Sequence, residues 1–240
     1  MSKHLKQISA PRSWAVPRKT AYWTVKPSPG AHAQEKGIPL ALVIRDYLGL
    51  CETMTQAKMI MGAGEILVDG TKAKDYREPI GLMDVITIKK TGDNYRMLVD
   101  NHGRLRTVKI PKENAAWKLC RIENKTVLGR GKIQLNMHDG RCILVEDAKK
   151  FKTGDTLKVE VPSQKILDHY PLANGSTAMI VAGAHNGEVA KVDKIEVKKT
   201  TAPNQVHFGG EKPFVTVKPN VFIIGLDAAV IKLPEVSIIG

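Results

Sequence analysis

The sequence predicts a multidomain α+β protein, mostly β, and three observations carry that prediction. The stretch 38–88 reads helix, helix, hairpin and closing strand. Beyond it, short alternations of apolar and polar residues recur between turn residues. Thirteen Pro and 20 Gly, spread over 240 residues, favour many short elements over long helices. At 42% hydrophobic, the chain can bury one large core or several small ones. No apolar run reaches the roughly 18 residues of a membrane span, and Met1–Gln7 lacks the apolar centre of a secretory signal. Cytoplasmic residence is therefore expected. Cys51, Cys120 and Cys142 lie far apart, with no Cys-x-x-Cys and no His at zinc-finger spacing. Reduced thiols are expected, with neither a disulfide framework nor a metal.

The formal net charge of +13 predicts a polyanionic partner, RNA or DNA before an acidic membrane. Residues 1–37 hold seven Lys/Arg against the single acid Glu35. Pro11, Pro17, Pro27 and Pro29 interrupt any long element, which predicts an extended basic arm. The arm also holds Trp14, Tyr22 and Trp23, three of 12 aromatic residues. Cations that neutralise phosphates, interleaved with rings that stack on bases, suit an arm ordered by RNA. Its candidate contacts are Lys3, His4, Lys6, Arg12, Trp14, Arg18, Lys19, Trp23 and Lys26. The competing use of the rings is to anchor the arm on the protein's own core, and different rings can serve each purpose. Removal of residues 1–26 is expected to leave a folded protein, because the arm is poor in core residues.

The module assigned to 38–92 begins at Pro39, suited to a first helical turn. Leu40, Val43, Ile44, Tyr47 and Leu48 follow at helical spacing. Thr53 or Thr55 caps a second helix with Ala57, Ile60 and Met61 on its apolar side, and Gly62-Ala63-Gly64 ends it. Ile66 and Val68 share one face of a strand, Asp69-Gly70 predicts a hairpin turn, and Val85–Ile88 closes the unit. In 38–88 acids slightly outnumber Lys and Arg, so charge alone does not mark it as an RNA binder. An ordinary small α/β domain fits the pattern as well.

That order resembles the small RNA-binding module of ribosomal protein four, some pseudouridine synthases and a bacterial tyrosyl-tRNA synthetase. The landmarks are Thr55, Ala57, Ile60, Gly64, Val68, Asp69-Gly70, Pro79 and Met83-Asp84-Val85-Ile86. Such modules often carry Arg after the opening Ser or Thr, where this chain has Gln56. The resemblance implies RNA contacts from Lys58, Lys72, Lys74 and Arg77.

Residues 90–173 hold 17 Lys/Arg against 10 acids. Short alternations, as in Arg106–Ile110, Lys118–Ile122 and Leu157–Val161, are punctuated by Asn101-His102-Gly103, His138-Asp139-Gly140 and Thr153-Gly154-Asp155. A central antiparallel β domain is predicted over 93–173. Its polar positions are rich in cations, Arg121 among them, and Arg104, Arg106, Arg130, Lys132 and Arg141 are the candidate phosphate contacts. A solvated surface is the plainer alternative. Over 174–205 a further β unit surrounds Gly183 and Gly187, whose spacing requires a tight turn. Val221–Gly225, within a final segment 206–240, is a continuous apolar run that predicts a buried strand.

The glycine pair, with apolar residues on both sides, resembles the motif of an SH3-like (KOW) barrel of ribosomal and elongation proteins. It implies contacts from His185, Asn186 and Lys191. His4-Leu5-Lys6, Ala10–Trp14, Arg18-Lys19 and Pro27–His32 resemble the N-terminal signature of the archaeal and eukaryotic e-type ribosomal protein four of the small subunit. Ala31 replaces that family's usual Pro. Tyr95-Arg96, Trp117–Cys120, His138–Arg141 and Val230–Pro234 extend the likeness along essentially the whole chain. The resemblance implies a structural constituent of the small ribosomal subunit, partnered by small-subunit rRNA and neighbouring ribosomal proteins, with no cofactor.

The sequence has no phosphate-loop motif, no Gly-x-Ser-x-Gly elbow and no His-Glu-x-x-His pair, so catalysis is not expected. Two other roles remain open: a free RNA-binding factor, which would associate transiently, and an RNA-modifying enzyme, which would depend on one carboxylate.

Overall fold

The computed structural model describes residues 4–129, 132–146, 149–209, 213–231 and 233. The chain divides into two compact units: Met1–Val99 with Arg104–Lys118, and Asp100–Gly103 with Leu119–Gly240.

In the first unit, β1 (Leu5–Lys6) pairs antiparallel with β2 (Trp23–Thr24). Between them Gln7 is buried. Its amide donates to Pro17 O and, at 3.1 Å, to Thr20 Oγ1, while its oxygen accepts Ala21 N at 2.6 Å. Arg18 donates to Ile8 O at 3.2 Å and Ala10 O at 2.7 Å. Trp14 is 3% exposed and its indole N–H donates to Gly37 O at 2.9 Å. Ser13 O accepts Leu105 N at 2.8 Å, and Tyr47 Oη accepts Ala15 N at 2.8 Å.

The arm is therefore fastened along its length, which corrects the expectation that it is poor in core residues. Leu5, Ala10 and Trp14 belong to the same apolar cluster as Ile38, Leu40 and Ile44. Proline prevents the arm from forming a long element of its own, but turns deliver single side chains into another element's core.

After β3 (Gly37–Pro39), helix α1 (Leu40–Leu42) runs on as one π-helical turn, Val43–Tyr47, whose Val43 O accepts Leu48 N at 2.9 Å. Leu40 through Ile44 are buried without exception. Thr53, not Thr55, caps α2 (Met54–Gly62) in a complete capping box. Thr53 Oγ1 accepts Gln56 N at 3.3 Å and Gln56 Oε1 accepts Thr53 N at 3.1 Å. Gln56 thus closes this cap.

Ala57 and Met61 face the core, Ile60 is half-buried, and Gly64 leaves the helix at φ +72°. Strands β4 (Ile66–Val68) and β5 (Thr71–Lys72) turn at Asp69-Gly70, both with positive φ, 48° and 76°, as a type I′ turn requires. β6 (Pro79–Gly81) returns to pair with β3, setting Gly81 opposite Gly37.

β7 (Val85–Ile88), β8 (Asn94–Val99) and β9 (Leu105–Ile110) complete a five-stranded sheet in the order β5-β4-β7-β8-β9. The expected boundary at 92/93 falls inside this sheet. Gly92, at φ +75°, makes the tight turn that lets β8 continue the meander.

In the second unit, β11 (Ile133–Met137), β12 (Cys142–Val145), β13 (Thr156–Glu160) and β14 (Ile166–Tyr170) flank the long β10 (Trp117–Val127) in the order β12-β11-β10-β13-β14. The division between units falls within β10, after Lys118. Cys120, Ile122, Leu135, Leu157 and Val159 form this sheet's core.

A second five-stranded antiparallel sheet has the order β18-β17-β16-β15-β19, from β15 (Thr177–Ile180), β16 (Val189–Glu196), β17 (Gln205–Phe208), β18 (Phe214–Val217) and β19 (Val221–Gly225). Gly183 and Gly187, at φ +104° and +75°, turn the chain between β15 and β16. The continuous apolar run of β19 is fully buried beside β15, as its composition predicts. The expected segment boundary at 205/206 lies inside β17, so the last strands join the sheet begun at Thr177.

Candidate nucleic-acid interface

The exposed cations rest on a rigid frame, and in the first unit that frame is electrostatic. Lys118, 1% exposed, places Nζ 2.6 Å from Asp69 Oδ2 and 2.9 Å from Asp84 Oδ1. Asp84 Oδ2 faces His32 Nε2 at 2.8 Å and accepts Gly81 N at 2.9 Å. Asp69 Oδ1 accepts Val85 N at 3.0 Å. Burial pushes the Asp84 carboxyl up, but the ammonium of Lys118 and then the imidazole of His32 outweigh burial and hold it well below the usual carboxylate range.

The imidazole occupies space left by the paired glycines. A Cβ on Gly81 would stand 2.4 Å from His32 Cγ, and one on Gly37 2.9 Å from His32 Cβ. Arg96, 1% exposed, lies 4.4 Å from the centre of the Trp117 ring and donates to Trp117 O at 2.7 Å and Asn114 O at 2.8 Å. Burial, opposed by Asp69, lowers its pKa to about 10. The tracts around Arg96 and Lys118 that carry the family resemblance thus hold the fold. Sequence reasoning missed this network because its directly bonded members lie up to 52 positions apart.

On this frame the arm presents an open group of rings and cations. Tyr22 and Trp23 are 63% and 53% exposed, edge to face at 4.7 Å. His4 approaches Trp23 at 5.4 Å, and Lys6 Nζ lies 5.3 Å from the Tyr22 centroid. Arg12, Arg18 and Lys19 are exposed and Lys26 is half-buried. Trp14 is different. Its burial corrects its assignment as a stacking ring, because its indole serves the core; Tyr22 takes a place on the surface that the candidate set omitted.

On the module, Lys58 Nζ lies 4.4 Å and the Arg77 guanidinium 5.8 Å from the Tyr76 ring centre. Lys72 and Lys74 are exposed, as are Arg104 and Arg106 at the edge strand β9.

In the second unit Lys132 and Lys191 are exposed. Arg141 is half-buried, with Nε 3.0 Å from the Asp139 carboxylate, and so is partly committed to the fold. His185 stacks on Phe214 at 4.1 Å and meets Glu188 at 3.0 Å. Asn186 is half-buried. Arg121, expected on a polar surface, is buried and donates to Pro219 O at 2.7 Å and Val221 O at 2.9 Å. Lys3 and Arg130 lie outside the described residues.

Cys120, His138 and Asp139 bring three potential ligand atoms within 4.8 Å. Asp139 is held by Arg141, His138 Nδ1 accepts Arg121 N at 3.2 Å and Cys120 Sγ donates to Asp139 Oδ2 at 3.6 Å, so protein groups already use all three. Among the described residues, no helix is long and apolar enough to cross a membrane.

Comparison with known proteins shows what the chain is similar to. The small ribosomal subunit protein eS4 of Methanothermobacter thermautotrophicus is 44% identical over 234 residues, covering 97% of this chain and 96% of that protein. The protein of the same name from Methanococcus maripaludis strain C6 is 45% identical over 243 residues, covering 96% and 97%. The chain belongs to the ribosomal S4e family. The model of ribosomal family S4e matches residues 91–166, an S4 domain matches 39–86, and an RS4NT (NUC023) domain matches 1–35. The crystal structure of the 30S ribosomal protein S4e from Thermoplasma acidophilum aligns with a TM-score of 0.71 and 37% identity, covering 79% of this chain and 95% of that one. The resemblance first seen in the arm and the helix–hairpin module is thus a family relationship that extends through both units.

Proposed function

We propose that this protein is a structural constituent of the small ribosomal subunit that binds small-subunit ribosomal RNA and stabilises its folded form. Near full-length similarity to proteins named for that subunit carries the proposal. In this role the protein works without catalysis or cofactor, in the cytoplasm, beside neighbouring ribosomal proteins. Exposed cations on the arm, the S4 domain, β9 and the second unit support binding at several weak sites. Joining such sites in one chain raises the effective concentration of each.

His4, Lys6, Tyr22 and Trp23 are the group suited to stacking an unpaired base, and Lys58, Arg77 and Tyr76 suit a backbone contact. The strands from Thr177 to Gly225, bent at Gly183 and Gly187, support the SH3-like (KOW) reading of this part, with His185, Asn186 and Lys191 as its contacts. The test is sedimentation of a native lysate after a high-salt wash, with the protein counted per small subunit. About one retained copy is expected of an integral constituent, by the tight, multi-point attachment argued above. Protein stripped to the top of the gradient would instead mark a transient RNA-binding factor.

A further inference from the structure

The turn Lys152-Thr153-Gly154-Asp155 has a role that its sequence does not suggest. It is fixed to β10, because Gly154 N donates to Ile122 O at 2.9 Å and Asp155 O accepts Ile122 N at 2.8 Å. Asp155, 2% exposed, uses both carboxylate oxygens within the protein. Oδ1 accepts Leu172 N at 2.9 Å, while Oδ2 accepts Lys152 N at 2.8 Å and meets His169 Nε2 at 2.9 Å.

Across this turn lies Lys218, first residue of the short 3₁₀ turn Lys218–Asn220 that links β18 to β19. Its backbone N donates to Asn204 O at 2.8 Å. Its side chain runs over Gly154 so closely that a Cβ there would stand 2.6 Å from Lys218 Cε. Gly154, at φ +96°, is thus required both by its own backbone and by the passage of the lysine.

Lys218 Nζ donates to Thr153 Oγ1 at 3.3 Å, a neutral acceptor. Burial pushes the Lys218 pKa down; Asp155 opposes this and the Arg121 guanidinium adds to it. A half-buried ammonium in this position is under-compensated, and a further negative group beside it would relieve that.

Lys218 forms one wall of a cavity of about 440 Å³, within the second unit, to which Lys125, Lys152 and Thr153 also contribute. The volume falls in the range of about 300–1,000 Å³ common to small-molecule sites. Three lysines meet one carboxylate there; that carboxylate's oxygens are engaged, and Lys125 Nζ donates to Phe151 O at 2.6 Å. The lining also includes the apolar Leu172, Ile195 and Val197, the last 70% exposed, and Asn204. Cations and a hydroxyl beside apolar side chains match a phosphate joined to a flat, weakly polar base.

We propose that this cavity is a nucleotide-phosphate subsite. Lys218, Lys152, Lys125 and Thr153 take the phosphate, and Ile195 and Val197 take the attached base or ribose. The phosphate belongs to an RNA backbone or to a free nucleotide; the first case rests on the function proposed above and the second does not.

The test is NMR on the full chain, labelled at Ile, Leu and Val methyls and at lysine Cε, titrated with uridine monophosphate and with inorganic phosphate. Saturable shifts are expected at Ile195, Val197, Leu172 and Lys218, larger with the nucleotide. Lys218→Met is expected to weaken nucleotide binding by about tenfold or more, the loss of one charge-assisted hydrogen bond, while Lys218→Arg retains it. Lys152→Met, at an exposed position, reports in the same direction if the Lys218 substitution disturbs folding.

A short single-stranded uridine oligonucleotide then identifies the source. Displacement of the mononucleotide assigns an RNA phosphate, and binding without displacement assigns a free nucleotide; both uphold the subsite. Shifts that never saturate, or that persist unchanged in folded Lys218→Met, overturn it. Oligonucleotide binding by the whole chain with a silent cavity overturns the subsite and leaves the RNA-binding role standing.

Discussion

Asp84 shows how much one residue can carry. Its two oxygens serve Lys118, His32 and Gly81 N at once, at 2.8–2.9 Å. Asp84→Asn keeps the shape and removes the charge opposite a buried ammonium. Lys118 keeps Asp69 at 2.6 Å, so the loss expected is that of hydrogen bonds to a charged group, about 1.5–3 kcal/mol, and urea denaturation of both proteins measures it. The pH dependence follows from the depressed pKa of Asp84. A carboxyl lowered in the folded state stabilises above its unfolded value, about 3.9, and loses that contribution as pH falls toward the folded value. Acid denaturation of the parent is therefore expected to steepen below about pH 4 and to be flatter in Asp84→Asn. Gly81→Ala places a methyl on the imidazole of His32, in a bed too close-packed to yield, and about 1–3 kcal/mol is expected from overpacking, read as a lower melting temperature. Residue chemistry was partly legible in the sequence. Asp69-Gly70 announced its turn, but nothing local announced that the same aspartate binds a lysine 49 positions on.

At the scale of elements, local signals were reliable where local interactions decide. The Thr53 cap, the Gly64 exit and the Asp69-Gly70 hairpin all follow from backbone chemistry within a few residues. Thr53→Ala is expected to cost about 1 kcal/mol by opening the capping box, and a chemical-denaturation midpoint will register it. The arm was illegible because its burial depends on elements far along the chain. Ser13 meets Leu105, Ala15 meets Tyr47, and Trp14 meets Gly37. A protein lacking residues 4–26 is accordingly expected to be less stable by several kcal/mol, at least the roughly 3–5 kcal/mol of a deleted core aromatic. Equal stability of the truncated and full chains in urea would disprove that anchoring. The predicted boundaries at 92/93 and 205/206 fall inside a sheet and inside β17 because an antiparallel meander crosses a composition change without interruption.

For the whole molecule the salient quantity is the net charge of +13, and the fold divides the cations that produce it into two populations. Arg96, Lys118 and Arg121 are interior and hold carbonyls or carboxylates. Arg104 and Arg106 are exposed. Replacing both of these with Ala is expected to reduce the salt-dependence slope of RNA binding by about 1.4–1.8, since each phosphate contact contributes about 0.7–0.9. Arg141→Ala, already paired with Asp139, is expected to change the slope by less. Binding isotherms at several salt concentrations distinguish the two. Total charge was legible from composition, but its partition was not, because burial of a cation is decided by distant carboxylates and carbonyls.

The continuity of β10 across the division between units gives synthesis a direction. Lys118, which pairs with Asp69 and Asp84, is the last residue of the first unit, and Cys120, two positions later, is already in the core of the second. While the chain is being made, everything before Lys118 is present but the two carboxylates have no ammonium to receive them. The first unit is therefore expected to gain its full stability only once Lys118 has left the exit tunnel. Arrested nascent chains make the difference visible: those with residue 117 just exposed should be cut readily by protease, and those a few residues longer should resist.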